Sequence, residues 1–191
     1  MTTVSIIGNG NMGSAIAGIV EKSGNTVELR GSDDASTPVT GEIVVLAVPY
    51  PALGEVLAQR TDQLAGKIVV DITNPLNFET FDSLTVAADG SATAELAEKL
   101  VSSKVIKAFN TNFAATLSSG QVAGLQTTVT IAGDDADAKS KLAEIVTAGG
   151  LRAVDAGALS RARELEAIGF LQITLAAAEK ITWAGGFTLQ P

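Results

Sequence analysis

The sequence contains neither cysteine nor histidine. Without cysteine the chain forms no disulfide and offers no thiolate, which is compatible with a reducing compartment. Without histidine it lacks the commonest general base near neutral pH and the commonest metal ligand. These absences exclude histidine-dependent dehydrogenases, catalytic triads and most zinc sites, and we expect no metal.

Basic residues and long apolar runs are also scarce. Lysine and arginine number 13 against 21 acidic residues, a formal net charge of −8, which makes nucleic acid and anionic membranes poor partners. The longest apolar runs, such as Ile43 to Val48, are strand-sized and far short of the roughly 20 residues that cross a bilayer. Met1 to Thr3 runs into a strand without a basic segment and an apolar leader. We therefore expect a cytoplasmic protein.

What the chain does contain is a series of short apolar runs between helical stretches. Several runs are apolar throughout, as in parallel strands that are covered on both faces. The predicted strands are Val4 to Ile7, Thr26 to Leu29, Ile43 to Val48, Lys67 to Ile72, Val105 to Ala108, Thr127 to Ala132 and, as a further addition, Leu151 to Val154. The fold class is therefore α/β, a doubly wound (Rossmann) mostly parallel sheet.

Helices are predicted between these strands and after the last one. The connecting helices are Asn11 to Lys22, Pro51 to Ala58, Ser91 to Leu100 and Asp134 to Thr147. A long helix over Ser160 to Trp183 then forms a C-terminal extension (residues 160–191) on a Rossmann domain of residues 1–159. Its surplus apolar surface packs either on the sheet or against a second copy, and we predict a homodimer through this helix.

The most informative motif is the turn Gly8-Asn9-Gly10-Asn11-Met12-Gly13, which lies between the first strand and the first helix. In that setting Gly8 permits the tight turn, Gly10 lets a pyrophosphate approach the backbone, and Gly13 allows close packing of helix on strand. Asn11 and Met12 supply N–H groups at the positive end of the helix. The turn predicts a dinucleotide site.

The end of the second strand decides between NAD and NADP. Arg30 and Ser32 favour the additional phosphate of NADP, whereas Asp33 repels it. We predict NADP, with NAD as the less favoured coenzyme.

Three loops at the carboxyl ends of later strands should complete the site, since ligands bind at that edge of a doubly wound sheet. Asparagine and threonine can hydrogen-bond a carboxamide or ribose, although Asn-Pro is also a common turn former. The residues of these loops predicted to bind the coenzyme are Ala47, Val48, Pro49 and Tyr50, then Thr73, Asn74 and Pro75, then Asn110, Phe113 and Ala114.

These motifs together resemble the NADPH-dependent reductases of the deazaflavin coenzyme F420 over nearly the whole chain, and more distantly the reductase domain of the STEAP ferric reductases. The stretches concerned are Val4 to Gly13, Ala47 to Pro49, Asp71 to Leu76, Lys107 to Thr111 and Asp155 to Leu159. The resemblance implies a Rossmann domain that binds NADP, with the nicotinamide open to a flavin-like acceptor. The chain departs from the family at Asp33, where a basic residue is usual.

The expected activity is hydride transfer between NADP(H) and a flavin-like or deazaflavin acceptor, which requires alignment of two rings but no catalytic side chain. Asn74, Pro75, Asn110 and Phe113 would shape the nicotinamide pocket, and Tyr50 or Trp183 would line the acceptor side. One alternative is an NADPH-binding redox sensor without turnover. Another is a reductase of small carbonyl or imine substrates, which would need a proton donor such as Lys107 or Tyr50.

Overall fold

The computed structural model describes residues 1–31, 34 and 36–189. Ser32 and Asp33, which bear on the coenzyme preference, lie outside the described residues. The strands of the described part are β1 (Thr3–Ile7), β2 (Thr26–Arg30), β3 (Ile43–Leu46), β4 (Ile68–Asp71), β5 (Lys104–Ala108), β6 (Gln121–Val122), β7 (Leu125–Gln126), β8 (Thr128–Gly133) and β9 (Arg152–Gly157). Its helices are α1 (Asn11–Lys22), α2 (Leu53–Leu64), α3 (Ala92–Lys99), α4 (Ala114–Ser119), α5 (Ala136–Ala148) and α6 (Ala162–Ala177).

Within the described residues, seven strands form one sheet in the order β2-β1-β3-β4-β5-β8-β9, parallel except for the antiparallel pair of β5 and β8. The predicted doubly wound, mostly parallel sheet is therefore confirmed. The chain reverses its winding direction between β1 and β3, and a ligand crevice is expected at the carboxyl ends of these two strands.

The core lies on both faces of the sheet, which explains why the strands are apolar throughout. On β3, Ile43 and Val45 pack with α1 and α5 on one face, whereas Val44 and Leu46 pack with α2 and α3 on the other. Each of these four side chains is at most 1% exposed, because alternate residues of a strand point to opposite faces.

Two helices begin directly after a residue whose side chain caps their first turn. Ser91 precedes α3 and its hydroxyl accepts from the Ala94 N–H at 3.0 Å. Asp135 caps α5 in the same way through the Ala138 N–H, so this helix begins at Ala136 rather than at Asp134. Such caps satisfy N–H groups that have no partner inside the helix.

The predicted helix over Ser160 to Trp183 is wrong at its carboxyl end. The helix α6 stops at Ala177, and Glu179 adopts a left-handed backbone with φ of 56°, which no helix can continue through. The chain then turns back, so that Trp183 lies in a tail after the helix. The prediction also missed α4 and the short β6–β7 hairpin, which occupy a stretch without a clear apolar period.

Candidate functional site

The glycine turn after β1 contains two glycines that the fold itself requires. Gly8 has φ of +114°, and a Cβ there would lie 2.1 Å from the Ala47 carbonyl oxygen. A Cβ on Gly13 would lie 1.8 Å from the Gly8 carbonyl oxygen. Both positions are closed to any side chain because β1, β3 and α1 converge here.

Gly10 is different, because a Cβ on it would meet nothing within 4 Å. It is the N-cap of α1, whose first turn contains no acidic residue and, among the described residues, receives no side-chain cap. The N–H groups at this end, including those of Asn11 and Met12, therefore lie at the positive end of a twelve-residue helix, beside the open space at Gly10. This is the geometry of an anion site.

Beside the turn lies a cavity of about 270 Å³, which we call the glycine cleft. Gly8, Asn9 and Gly10 form one wall, and the loop Ala47 to Pro49 forms another. Gly31, directly after β2, and Arg60 and Glu55, on α2, line it as well.

On the other side of the α1 N-terminus lies a larger cavity of about 420 Å³, which we call the asparagine cleft. It is lined by Asn11, Met12, Ile72, Asn74, Phe78, Asn110, Asn112, Phe113, Ala114, Ala115, Ile173 and Trp183. The Trp183 and Phe113 rings pack with centroids 4.9 Å apart. Of the described residues, no titratable side chain lines this cleft.

Asn74 and Asn110 form a reciprocal pair in the asparagine cleft. The Asn74 Nδ2 donates to the Asn110 carbonyl oxygen, and the Asn110 Nδ2 donates to the Asn74 Oδ1, both at 2.9 Å. The Oδ1 atoms of Asn110 and Asn112 are buried and have no hydrogen-bond partner among the described residues. A buried acceptor of this kind favours a ligand that brings a donor, such as the amide of a carboxamide.

Behind this pair, Lys107 lies at the centre of a fully buried charge network. Its ammonium donates to Asp71 Oδ2 at 3.0 Å, to Glu166 Oε1 at 2.9 Å and to the Thr73 carbonyl oxygen. Glu166 also accepts from the Ala92 N–H at the start of α3, where the helix dipole stabilises a carboxylate. All three ammonium protons are thus used, so Lys107 is a paired residue rather than a proton donor to the cleft.

Comparison with known proteins identifies the family. The sequence profile described as "NADP oxidoreductase coenzyme F420-dependent" matches residues 25–75. An F420-dependent NADP reductase of Methanocaldococcus jannaschii is 30% identical over 161 residues, which cover 82% of this chain and 72% of that protein. The chain belongs to the F420-dependent NADP reductase family. The predicted family and the predicted oxidoreductase class are both confirmed.

Two further similarities agree with membership of this family. A crystal structure of a putative F420-dependent NADP reductase from Arthrobacter sp. FB24 superimposes over the full length of both chains with a TM-score of 0.84 and 25% identity. The rat metalloreductase STEAP3 is 38% identical over 112 residues, which are 59% of this chain and 22% of that protein. STEAP3 is therefore a relative over part of its length, as the motifs predicted.

In this F420-dependent NADP reductase family member, most of the predicted site residues line one of the two clefts. The glycine cleft contains Gly8, Asn9, Gly10, Ala47, Val48 and Pro49, and the asparagine cleft contains Asn11, Met12, Asn74, Asn110, Phe113 and Ala114. Gly13, Thr73 and Pro75 are buried beneath the site. The Thr73 carbonyl oxygen accepts from Lys107 in the buried charge network.

The structure places Tyr50 away from both clefts. Its hydroxyl donates to Glu95 Oε2 at 2.7 Å across a separate cavity between α2 and α3. Burial, followed by the hydrogen bond to Glu95, raises the pKa of Tyr50 to about 12. A phenol that holds its proton this firmly is a poor acid catalyst near neutral pH.

Arg30 lies at the end of β2 with its guanidinium 3.5 Å from Glu28 and 3.6 Å from Asp34.

Arg60 was not predicted as a site residue. It is 3% exposed, donates to the carbonyl oxygens of Asp34 and Thr37, and has no carboxylate partner among the described residues. The residues around Arg60 in the sequence do not predict its burial, because its guanidinium donates to backbone carbonyls of the loop after β2.

Sequence reasoning also missed Phe78, Asn112, Ile173 and Glu166. Asn112 belongs to the same loop as the predicted residues Asn110, Phe113 and Ala114. Glu166 could have been found from the sequence, because a carboxylate between apolar neighbours on a helix that packs on a sheet needs a charged or hydrogen-bonding partner.

Across the described residues, no helix is long and apolar enough to span a membrane.

Proposed function

We propose that the protein transfers a hydride between NADP(H) and a flavin-like or deazaflavin acceptor. The observation that carries the proposal is that the two clefts meet at the N-terminus of α1. Gly8 to Gly10 line one cleft, while Asn11 and Met12 line the other. A dinucleotide with its pyrophosphate at Gly10 would extend its adenosine half into the glycine cleft and its nicotinamide half into the asparagine cleft.

The residues present fit such a coenzyme. Gly10 leaves open space where a diphosphate would need it, and Arg60 and Arg30 provide positive charge near the loop after β2. The unpartnered oxygens of Asn110 and Asn112 suit the amide of a nicotinamide carboxamide. When bound, the nicotinamide supplies the hydride chemistry, and the protein's part is to align the two rings and exclude water.

The lining of the asparagine cleft favours an aromatic acceptor over a small carbonyl or imine. Phe78, Phe113 and Trp183 offer faces and edges for a flat ring system. A carbonyl or imine substrate would need a proton donor, but Tyr50 lies elsewhere and Lys107 is buried in its ion pairs. The names of the relatives in Methanocaldococcus and Arthrobacter support F420 as the acceptor.

The proposal is tested by mixing the purified protein with NADPH and either F420 or free flavin and following the absorbance of the reduced nicotinamide. We expect oxidation with at least one of these acceptors. Tight NADPH binding without oxidation by any of them would overturn the proposal and support a redox sensor. Mass spectrometry of ligands released on denaturation distinguishes NADP from NAD independently.

Trp183 provides a second test, because it is the only tryptophan in the sequence and lines the asparagine cleft. An acceptor ring that stacks in this cleft should quench its fluorescence in the presence of NADP. A variant with Trp183→Phe, which keeps an aromatic ring, should retain turnover. Oxidation of NADPH without any change in fluorescence on acceptor binding would place the acceptor elsewhere.

We also propose that two copies associate through the outer face of α6. Ile168 and Leu171 are 40% and 50% exposed there, and they form part of an apolar surface for which a second copy is the expected cover. A cytoplasmic location stays a prediction.

A further inference from the structure

The inner face of α6 is polar where it meets the ends of the sheet strands. The Leu165 carbonyl oxygen accepts from Asn110 Nδ2 at 2.9 Å, and Glu166 pairs with Lys107. Two turns along the helix, Gln172 is 1% exposed and donates to the Thr111 carbonyl oxygen. This face therefore contacts the loops that line the asparagine cleft, rather than only the apolar core.

Gly169 lies between these contacts, in the middle of α6. A Cβ at this position would lie 2.2 Å from Asn74 Oδ1, 2.8 Å from its Cγ and 3.0 Å from its Nδ2. Glycine inside a helix costs about 1 kcal/mol relative to alanine, so an interior glycine needs a packing reason. Here the reason is the carboxamide of Asn74, which lies directly against the helix backbone.

The Asn74 side chain has little freedom to move away from α6. Both ends of its carboxamide are bonded to Asn110, which is itself bonded to the helix through Leu165. The backbone on the N-terminal side of Asn74 is held by the hydrogen bond from Lys107 to the Thr73 carbonyl oxygen. A methyl group at position 169 would therefore displace the carboxamide and break its bonds to Asn110.

We infer that Gly169 is a positioning residue for the nicotinamide. By bringing the α6 backbone against Asn74, it fixes the Asn74–Asn110 pair at the floor of the asparagine cleft. Gly169 then sets the orientation of the ring half of the coenzyme without touching it. This inference rests on the proposed function, because it assigns the asparagine cleft to the nicotinamide.

The test compares Gly169→Ala with Gly18→Ala, an interior helix position on α1 where a Cβ meets nothing within 4 Å. Affinity is measured for NADP and for its adenosine bisphosphate half, which lacks the nicotinamide. We expect Gly169→Ala to weaken NADP binding about tenfold, equivalent to about 1.4 kcal/mol, and to leave the adenosine half within about twofold. Gly18→Ala should change neither. Equal losses for both ligands, or no loss for NADP, would overturn the inference.

Asn74→Ala makes the test independent of folding defects. If Gly169 acts through the Asn74 carboxamide, then Gly169→Ala has no further effect on NADP affinity in an Asn74→Ala background. Should Gly169→Ala alone fail to fold, the double variant should fold, since the clashing group is gone; failure of the double variant would also count against the inference. Wild-type protein that binds neither NADP nor its adenosine half would instead refute the proposed function.

Discussion

At the scale of single residues, the three glycines of the turn after β1 divide into two kinds. Gly8 and Gly13 are required by the fold, because neighbouring backbone occupies the space of a side chain. Gly10 has an extended backbone with φ of −71° and ψ of −171°, which any residue can adopt. Its missing side chain therefore matters only to a ligand.

This difference predicts the behaviour of Gly10→Ala. The variant should fold with an unchanged melting temperature, since its Cβ meets no protein atom, but NADPH affinity should fall by at least about tenfold because the methyl group occupies the approach of the pyrophosphate. Calorimetric titration together with a thermal melt checks both parts. Unchanged affinity would remove the turn from the coenzyme site.

Arg30 carries the prediction on coenzyme preference. Its guanidinium already has acidic neighbours in Glu28 and Asp34, so a phosphate would have to compete with them. We expect Arg30→Gln to lower the preference for NADPH over NADH about tenfold, the usual scale of a hydrogen bond to a charged group. The ratio of the two KM values measures this, with Arg30→Lys as the charge-preserving control. An unchanged ratio would leave Arg60, which lines the glycine cleft, as the candidate.

At the scale of elements, helix α6 is attached to the sheet mainly through polar groups. Glu166 and Lys107 are 59 residues apart in sequence, and neither side chain is more than 1% exposed. Removing one member of such a buried pair leaves an uncompensated charge, which costs about 3–5 kcal/mol. The attachment of α6 therefore depends on Lys107.

Lys107→Met tests this attachment. We expect the free energy of unfolding in urea to fall by about 3–5 kcal/mol, because Asp71 and Glu166 lose their shared cation. The matched control is Lys141→Met, since Lys141 forms a half-exposed ion pair with Glu42 and such pairs contribute about 0–1 kcal/mol. Equal effects of the two substitutions would contradict a special role for the buried network.

At the scale of the whole molecule, the outer face of α6 is the surface proposed for self-association. Leu171 is half exposed, so Leu171→Glu should leave the fold of the single chain intact and introduce a charge into the interface. We expect wild-type protein to sediment as a dimer and the variant as a monomer with an unchanged circular dichroism spectrum. A monomeric wild type would refute the predicted homodimer.

The sequence alone determined the sheet and the class of chemistry. Strands such as Ile43 to Leu46 are apolar at every position, which only a sheet covered on both faces explains. The turn Gly8 to Gly13 predicted an anion site, because its glycines stand between a strand and a helix. The absence of histidine removed most acid–base mechanisms. Each of these conclusions rests on local pattern or on composition, which the sequence displays directly.

Only the tertiary structure decided how α6 and the following tail complete the site. The apolar pattern of this helix left open which residues face the sheet: Ile168 and Leu171 are exposed, while Glu166 and Gln172 are buried. A polar residue can be buried only where a distant segment supplies its partner, and those partners, Lys107 and Thr111, are brought to α6 by the fold. Tertiary structure also decided the place of Trp183, which reaches Phe113 because the helix ends at Ala177. The role inferred for Gly169 likewise depends on a distant residue, Asn74.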